Sequence, residues 1–244
     1  MGDLGGRLPV ISVVGMDLDD TLLRLSPQFV PEYLKRIIQR LEEIFPQTPG
    51  IGHAFWESGI ATREKARDAE RLEDFFYRDF GSRTGLTRRE LDPHLHAFYR
   101  NEFHQLRYLA RPIFGVMGLL AALKARGYRV ALLTSALFPK EAIDQRLQWA
   151  GLEGFSFDWR ASLEVVHVTK PQPDYYREAA EALDTEPRQW LMVGNDLRED
   201  ILPAHEAGMA TYWVREDALP QDLRDLPTGV AVGPLQRVIS WLDG

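Results

Sequence analysis

The sequence predicts an α/β protein with a Rossmann-like, three-layer α/β/α core, a parallel sheet and an inserted α-helical cap. Two observations lead to this prediction. From residue 111 onward, short apolar stretches alternate with helical patterns, as they do when parallel strands are joined by crossover helices. Residues 26–109 show helical patterns alone, although an apolar stretch of strand length precedes them. The first strand therefore belongs to the later sheet, and the helices are inserted after it.

Residues 10–22 contain that first strand and the first candidate site. The apolar part carries four β-branched residues and predicts a strand that is buried on both faces. Asp17 and Asp19 follow it, and the carboxyl ends of parallel strands line the ligand crevice. Two like charges this close repel each other unless a cation or a shared proton lies between them. Because Mg²⁺ prefers hard oxygen ligands, the pair predicts a magnesium site.

Hydrophobic periodicity and turn residues predict the remaining elements. In the cap, an amphipathic helix covers residues 34–45, a polar helical pattern covers residues 62–80, and Thr87 with Glu90 forms a capping box before a further helix. Strands are predicted at 129–133, 190–193 and 210–214, with a strand or an extended segment at 160–168. Helices are predicted at 116–126, 139–149, 174–183, after 196 up to 208, and at 235–241. Residues 215–233 are interpreted as irregular surface. The predicted core comprises residues 1–24 and 110–244, and the predicted cap comprises residues 25–109.

Composition excludes several classes of function. The chain has 244 residues and a formal charge of −7, from 29 basic and 36 acidic residues, which argues against non-specific nucleic-acid binding as its main task. It has no cysteine, which excludes disulfides, thiolate metal sites and a cysteine nucleophile. No apolar run approaches the roughly 20 residues of a membrane span, and the first residues lack the pattern of an export signal. We therefore expect a cytoplasmic protein without a membrane anchor.

Polar side chains recur where later apolar stretches end or where helices begin. Thr134 follows the second core strand, Lys170 precedes a helix, and Asp196 and Asp200 follow the strand at 190–193. In an open parallel sheet these positions converge on one edge with Asp17 and Asp19. Carboxylates, a hydroxyl and a cation together suit phosphoryl transfer, in which positioning and charge neutralisation do most of the work.

Four motifs in this order resemble those of the haloacid dehalogenase-like hydrolase superfamily. They are Asp17-Leu18-Asp19-Asp20-Thr21, Thr134 in Ala-Leu-Leu-Thr-Ser, Lys170 in Thr-Lys-Pro-Gln-Pro, and the segment 194–200 that begins Gly-Asn-Asp and ends at Asp200. Their spacing resembles the family's across nearly the whole chain. The helical insertion lies where the family carries its C1 cap.

This resemblance implies a role for each motif residue. Asp17 would be the nucleophile that becomes an aspartyl phosphate, and Asp19 would protonate the leaving oxygen and later deprotonate water. Mg²⁺ would be held by Asp17, the backbone carbonyl of Asp19, and Asp196. The remaining assignments are Thr134, Ser135 and Lys170 for phosphate binding, with Asn195 and Asp200 supporting the site. Asn195 departs from the family pattern, because an aspartate often follows the glycine.

Several of these residues also have simpler interpretations. A calcium loop is excluded, because its sixth and twelfth positions would be Leu22 and Gln28 instead of glycine and glutamate. Asp200 could merely cap the next helix. Arg63, Arg67 and Arg71 could clamp an anion, although the acidic residues between them favour an ion-paired face. His94, His96 and His104 are predicted to be surface residues, the aromatic residues at 75–77 and 80 are predicted to be cap core, and Trp56 is left unassigned.

The sequence therefore predicts Mg²⁺-dependent hydrolysis of a small phosphate monoester, with a small phosphorylated metabolite as the partner and neither nucleic acid nor membrane. A dehalogenase would be expected to lack the second carboxylate, Asp19. The alternatives that stay open are a phosphomutase of the β-phosphoglucomutase kind and a non-catalytic binding protein on the same fold. The natural substrate and the oligomeric state are not predicted.

Overall fold

The computed structural model describes residues 11–216 and 226–244, and its centre is a six-stranded parallel sheet. The strands are β1 Val13–Met16, β2 Leu23–Leu25, β3 Ala110–Pro112, β4 Arg129–Leu132, β5 Trp159–Arg160, β6 Trp190–Gly194, β7 Ala210–Val214 and β8 Val230–Gly233. The order in the sheet is β5-β4-β1-β6-β7-β8. The strand that precedes Asp17 thus belongs to the same sheet as the later strands, as the sequence predicts, and it lies between β4 and β6.

The strand β1 is buried on both faces because helices cover both sides of the sheet. Val14 pairs with Val130 on one side and Leu191 on the other, in parallel register. Its neighbour Val13 belongs to a second hydrophobic cluster on the opposite face. These two clusters make the three-layer α/β/α core that was predicted.

The cap is built from four helices and lies between β2 and β3 in the sequence. These helices are α1 Phe29–Ile44, α2 Ile51–Glu64, α3 Leu72–Thr84 and α4 Arg88–Asn101, and the core helices are α5 Val116–Ala125, α6 Lys140–Trp149, α7 Pro173–Ala182, α8 Leu202–Glu206 and α9 Val238–Leu242. The predicted capping box is present, because the Thr87 backbone N–H donates to Glu90 Oε2 at 2.8 Å. None of the described helices combines the length and the apolar character needed to cross a membrane.

The two connections between cap and core form a short antiparallel ribbon. The strands β2 and β3 pair with each other, with Leu25 opposite Ala110. The sequence analysis did not predict this ribbon. Cap and core then share one hydrophobic cluster, in which the ring of Phe103 stacks on Trp149 of α6 at a centroid distance of 5.4 Å.

Three predicted elements differ from the structure. The helical pattern at 62–80 is interrupted at 65–71, where the chain also bonds to the core: Gln172 Nε2 donates to Lys65 O at 2.8 Å. The segment 160–168, predicted as a strand or an extended segment, is a strand only at its first residue, in the two-residue β5. The segment 215–233 contains β8, which pairs with β7, so it is not wholly irregular. Residues 1–10, including the first residue of the predicted strand, and residues 217–225 lie outside the described part.

Candidate active site

Asp17 occupies the end of the central strand and is buried. Its backbone N–H donates to Val193 O at 3.0 Å, which continues the pairing of β1 with β6. Lys170 Nζ donates to Asp17 Oδ1 at 2.7 Å and to Asp200 Oδ1 at 2.6 Å, so one cation bridges two carboxylates. The structure thus brings together three residues that are distant in sequence. Asp200 is not merely a helix cap.

The charges in this group depend on one another. Burial raises the pKa of Asp200, and Asp17 adds to the increase while Lys170 opposes it, which brings the value to about 7. Burial by itself lowers the pKa of Lys170, but the two carboxylates outweigh that effect and hold it well above its usual range. Lys170 therefore stays cationic beside Asp17.

Gly194 provides the space that Asp200 needs. A Cβ atom built at Gly194 would collide with the Asp200 carboxylate. The Asp196 backbone N–H donates to Asp200 Oδ2 at 3.0 Å, which fixes the second oxygen. The close approach of Asp200 thus explains why the fourth motif begins with a glycine.

Asp19 lies at a bend in the chain and pairs with an arginine that the sequence analysis did not select. The bend is made by Asp20, which has a left-handed φ of 59° that Asp tolerates better than most residues. Arg146 Nη2 of α6 donates to Asp19 Oδ2 and lies 3.5 Å from Thr134 Oγ1. The side chain of Arg146 is 0% exposed, and its Nε and Nη1 are buried without a hydrogen-bond partner within the described residues.

Arg146 could have been noticed from its position on the helix. It lies four residues after Ala142 and three after Ile143, so it shares the buried face of α6 with them. An arginine on an apolar helix face requires a partner, because a buried charge without one is costly. Its partner cannot be read from the sequence, since Asp19 precedes it by 127 residues.

The environment of Asp19 favours its protonated form. Burial raises the pKa of its carboxyl, Arg146 lowers it, and Asp17 raises it further, with a net increase over the usual value. One oxygen is held by Arg146, whereas Oδ1 is buried and makes no hydrogen bond to any described residue. Arg146 therefore fixes the carboxyl through one oxygen only.

Thr134 and Ser135 follow β4 and lie close to Asp19. Thr134 is fully buried, and its carbonyl accepts from the Tyr175 hydroxyl at 2.7 Å. Ser135 lines a cavity together with Asp19. The structure therefore brings Thr134 and Ser135, two of the three predicted phosphate-binding residues, to the same edge of the sheet.

Asn195 and Asp196 are placed differently by the turn that follows β6. Asn195 Oδ1 accepts from Thr21 Oγ1 at 3.1 Å, beside the first motif. Asp196 is exposed, and its Oδ1 accepts the backbone N–H groups of Arg198 and Glu199 at 2.7 and 2.9 Å. Within residues 11–216 and 226–244, no three His, Cys, Asp or Glu side chains are grouped as metal ligands. The amide of Asn195 thus points toward the first motif, whereas Asp196 caps a turn.

Comparison with known proteins identifies the family. Residues 11–208 match the family described as haloacid dehalogenase-like hydrolase. The chain belongs to this family. The resemblance inferred from the four motifs is confirmed, and the protein is a hydrolase with an α-helical insertion.

Relatives and solved structures agree with this assignment. The glyceraldehyde 3-phosphate phosphatase of Methanopyrus kandleri is 27% identical over 89% of this chain and 91% of its own. A 2-haloacid dehalogenase from Pseudomonas syringae has the same fold, with a TM-score of 0.62 and 19% identity over 96% of this chain and 99% of its own. The putative hydrolase YfnB of Bacillus subtilis, solved bound to magnesium, has a TM-score of 0.55 and 18% identity over 96% of this chain and 100% of its own.

In this haloacid dehalogenase-like hydrolase, the three arginines considered as an anion clamp bond to the core. Arg63 pairs with Glu199, Arg67 Nη1 donates to Glu181 Oε1 at 3.1 Å, and Arg71 Nη1 donates to Glu164 O at 3.2 Å. Arg63 and Arg67 thus form ion pairs, but with acidic residues of the core and not with those between them in the sequence. These contacts tie the cap to the core.

Proposed function

We propose that this hydrolase is a Mg²⁺-dependent phosphatase that hydrolyses a small phosphate monoester through an aspartyl phosphate on Asp17. The observation that supports it most directly is the contrast between two neighbouring carboxylates. Asp17 contacts the ammonium of Lys170, whereas burial raises the pKa of Asp19. Neighbouring acids with separate environments commonly divide the roles of nucleophile and acid.

The first half-reaction follows from this division. A carboxylate oxygen of Asp17 attacks phosphorus, and the bond from phosphorus to the ester oxygen breaks. Asp19 gives its proton to that oxygen, so the alcohol leaves neutral. Lys170, Thr134 and the backbone N–H of Ser135 would bind the phosphoryl oxygens, while Arg146 holds one Asp19 oxygen in place.

The second half-reaction returns the enzyme to its starting state. Asp19, now ionised, accepts a proton from a water molecule whose oxygen attacks the phosphorus of the aspartyl phosphate. The acyl phosphate bond breaks, inorganic phosphate leaves, and the Asp17 carboxylate is restored. Asp19 thus serves as acid and then as base.

The residues present fit a magnesium ion. Asp17 and the backbone carbonyl of Asp19 offer hard oxygen donors, and a third comes from the turn after β6. The sequence prediction names Asp196 as the third ligand, but its carboxylate caps the turn, so the geometry favours the Asn195 amide oxygen beside Thr21. When bound, the ion would neutralise charge on the phosphoryl oxygens.

Phosphate esters suit the site better than haloacids, although a dehalogenase shares the fold. Halide is a weak base and leaves without a proton, whereas an alkoxide requires one, and Asp19 is arranged to supply it. The 27% identity to a phosphatase supports the same chemistry and leaves the substrate open.

The proposal is tested by phosphate release from p-nitrophenyl phosphate and from an alkyl phosphate, with EDTA and with Mg²⁺ restored. We expect loss of activity on chelation, recovery with Mg²⁺, poor recovery with the larger Ca²⁺, and no activity in Asp17→Asn. Turnover after complete chelation would exclude the metal, and halide release from a 2-haloacid without phosphate release would exclude the phosphatase. Isomerisation that depends on a sugar bisphosphate would instead identify a phosphomutase.

A further inference from the structure

A cavity of about 400 Å³ lies between the cap and the core and reaches the proposed acid. Asp19 and Ser135 form part of its wall, and residues of all four cap helices form much of the rest. This volume is typical of sites for small organic ligands, which occupy about 300–1,000 Å³. If the ester oxygen lies beside Asp19, the group attached to that oxygen must occupy this cavity.

The wall of the cavity is mainly aliphatic and aromatic. Leu34, Phe55, Phe76 and Leu95 contribute to it from the cap, and Phe138 contributes from the core. Phe138 packs against Tyr33 with a ring-centroid distance of 5.0 Å, so the two sides of the cavity are already in contact. The apolar surface is therefore formed before a ligand binds.

The apolar surface continues to the rim. Val30 and Trp56 also line the cavity, yet they are 51% and 45% exposed to solvent. Large apolar side chains at an exposed rim are a sign of a binding site when they continue an apolar cavity. Trp56, which the sequence left unassigned, thereby has a candidate role.

The charged residues that line the cavity are already paired. Arg63 pairs with Glu199, Glu73 Oε2 lies 2.8 Å from Arg88 Nη2, and His96 Nδ1 lies 2.8 Å from Glu141 Oε1. None of the lining residues, all of which are described, offers a cationic side chain without such a partner. A second anionic group on the substrate, such as a carboxylate or another phosphate, would lack a counter-charge here.

The hydroxyl groups of the wall offer little to a sugar. The Tyr33 and Tyr99 hydroxyls lie 2.7 Å apart, so one donates to the other and one proton remains for a ligand. The Tyr77 hydroxyl donates to Asp92, and Thr62 Oγ1 donates to Ser58 O at 2.7 Å. A polyhydroxylated group would lose its bonds to water and regain few of them.

We infer that the alcohol portion of the substrate is hydrophobic, an aromatic or aliphatic group with few polar atoms. This inference rests on the proposed phosphatase function, because Asp19 defines the place of the ester oxygen. The phosphoryl group would lie at Asp17 and Lys170, and the hydrophobic group would fill the cavity.

The first test compares kcat/KM across phosphate esters whose alcohols leave with similar difficulty. Methyl, butyl, hexyl and 2-phenylethyl phosphate form the apolar series, and glycerol 1-phosphate, phosphoserine and glucose 6-phosphate form the polar one. Each buried methylene contributes about four-fold, and hexyl carries five more of them than methyl. We therefore expect hexyl phosphate to exceed methyl phosphate by on the order of a thousand-fold, and to exceed every polar ester. A polar ester that equals or exceeds hexyl phosphate overturns the inference and leaves the phosphatase function standing.

Binding without turnover separates the two proposals. The enzyme is titrated calorimetrically with hexylphosphonate and with methylphosphonate, which carry no ester bond to hydrolyse. We expect tighter binding of hexylphosphonate, with a more negative heat-capacity change, because apolar surface is buried. Equal affinities for the two phosphonates overturn the inference that the cavity binds a hydrophobic group. Tighter hexylphosphonate binding without hydrolysis of any ester would support the cavity and reject the phosphatase.

Two tryptophans provide a matched pair of variants. Trp56→Ala removes apolar surface from the rim, and Trp241→Ala removes a ring of similar exposure, 40%, that packs on Tyr212 and does not line the cavity. The ratio of kcat/KM for hexyl phosphate to that for methyl phosphate should fall about ten-fold in Trp56→Ala and stay unchanged in Trp241→Ala. Equal changes in both variants, or none in Trp56→Ala, overturn the inference.

Discussion

At the scale of single residues, the roles of Asp17 and Asp19 follow from their partners. Both belong to one short motif, and the sequence predicted that they differ in function. It could not show that Arg146 is the partner of Asp19, because the two residues lie 127 positions apart in the sequence. It did predict that Lys170 and Asp200 lie at the same edge of the sheet as Asp17, since Lys170 precedes a helix and Asp200 follows a strand.

Replacement of Arg146 by Met should impair the acid step. Without the guanidinium, Asp19 loses the hydrogen bond that holds its carboxyl in place, and general acid catalysis is typically worth about 10² to 10⁴ in rate. We expect the single-turnover rate with an alkyl phosphate to fall at least about ten-fold, and that with p-nitrophenyl phosphate to fall less, because nitrophenolate leaves without a proton. Arg146→Lys should recover part of the loss.

A double-mutant cycle distinguishes positioning from general destabilisation. In an Asp19→Asn background, Arg146→Met should add little to the loss, because its target is already absent. Arg160→Met is the control. Arg160 pairs with Asp144, which lies on the exposed side of α6, the helix that carries Arg146. The proposed coupling of Arg146 to Asp19 would be contradicted if Arg146→Met reduced the rate as much in the Asp19→Asn background as in the unsubstituted enzyme.

Substitutions at the fourth motif should identify the third metal ligand. Asn195→Ala removes the amide oxygen beside Thr21, so the Mg²⁺ concentration for half-maximal activity should rise about ten-fold or more. Asp196→Ala removes a turn cap and should mainly lower stability, by about 1 kcal/mol. Titration of activity with Mg²⁺ and urea unfolding of both variants provide the measurements. The opposite order would return the metal to Asp196, as the sequence prediction has it.

At the scale of elements, the sequence predicted the secondary structure of long apolar stretches well. It did not predict that of short segments or of segments whose conformation depends on tertiary contacts. The strands β1, β4, β6 and β7 are buried, so their apolar character is continuous and easily recognised. The strands β2, β3 and β8 are short and partly exposed, which leaves little periodic signal. Residues 65–71 are helix-like in composition, but the Leu72 N–H donates to Val166 O at 2.9 Å in the core.

The contact between the cap and α6 should be important for the stability of the whole chain. Phe103 is fully buried, stacks on Trp149, and also meets the rings of Phe29 and Tyr33. Phe103→Ala should therefore lower the free energy of unfolding by about 3 to 5 kcal/mol, measured in urea. Phe114→Ala, at a ring that is 97% exposed, should change it by no more than about 0.5 kcal/mol. Equal effects of the two variants would show that the interface contributes little.

At the scale of the whole molecule, the core provides the chemistry and the cap provides the enclosure. The motif residues share one sheet edge, so order and spacing in the sequence are sufficient to predict their convergence. The cavity is different, because its wall combines side chains from four cap helices with the segment after β4. Packing decides which faces of those helices meet. The sequence therefore predicted a cap, but not the chemical kind of group that binds beneath it.

The central claim is that Asp17 forms a covalent phosphoryl intermediate that Asp19 helps to hydrolyse. The intermediate should accumulate in Asp19→Asn, because p-nitrophenolate leaves without a proton while the amide cannot activate water. Rapid mixing with p-nitrophenyl phosphate and Mg²⁺ should give a burst of nitrophenolate approaching one equivalent, followed by slow turnover. The intact mass of the quenched protein should increase by one phosphoryl group, and the double variant Asp17→Asn with Asp19→Asn should show neither burst nor increase. An adduct that persists in the double variant, or a full burst without any adduct, would contradict the account.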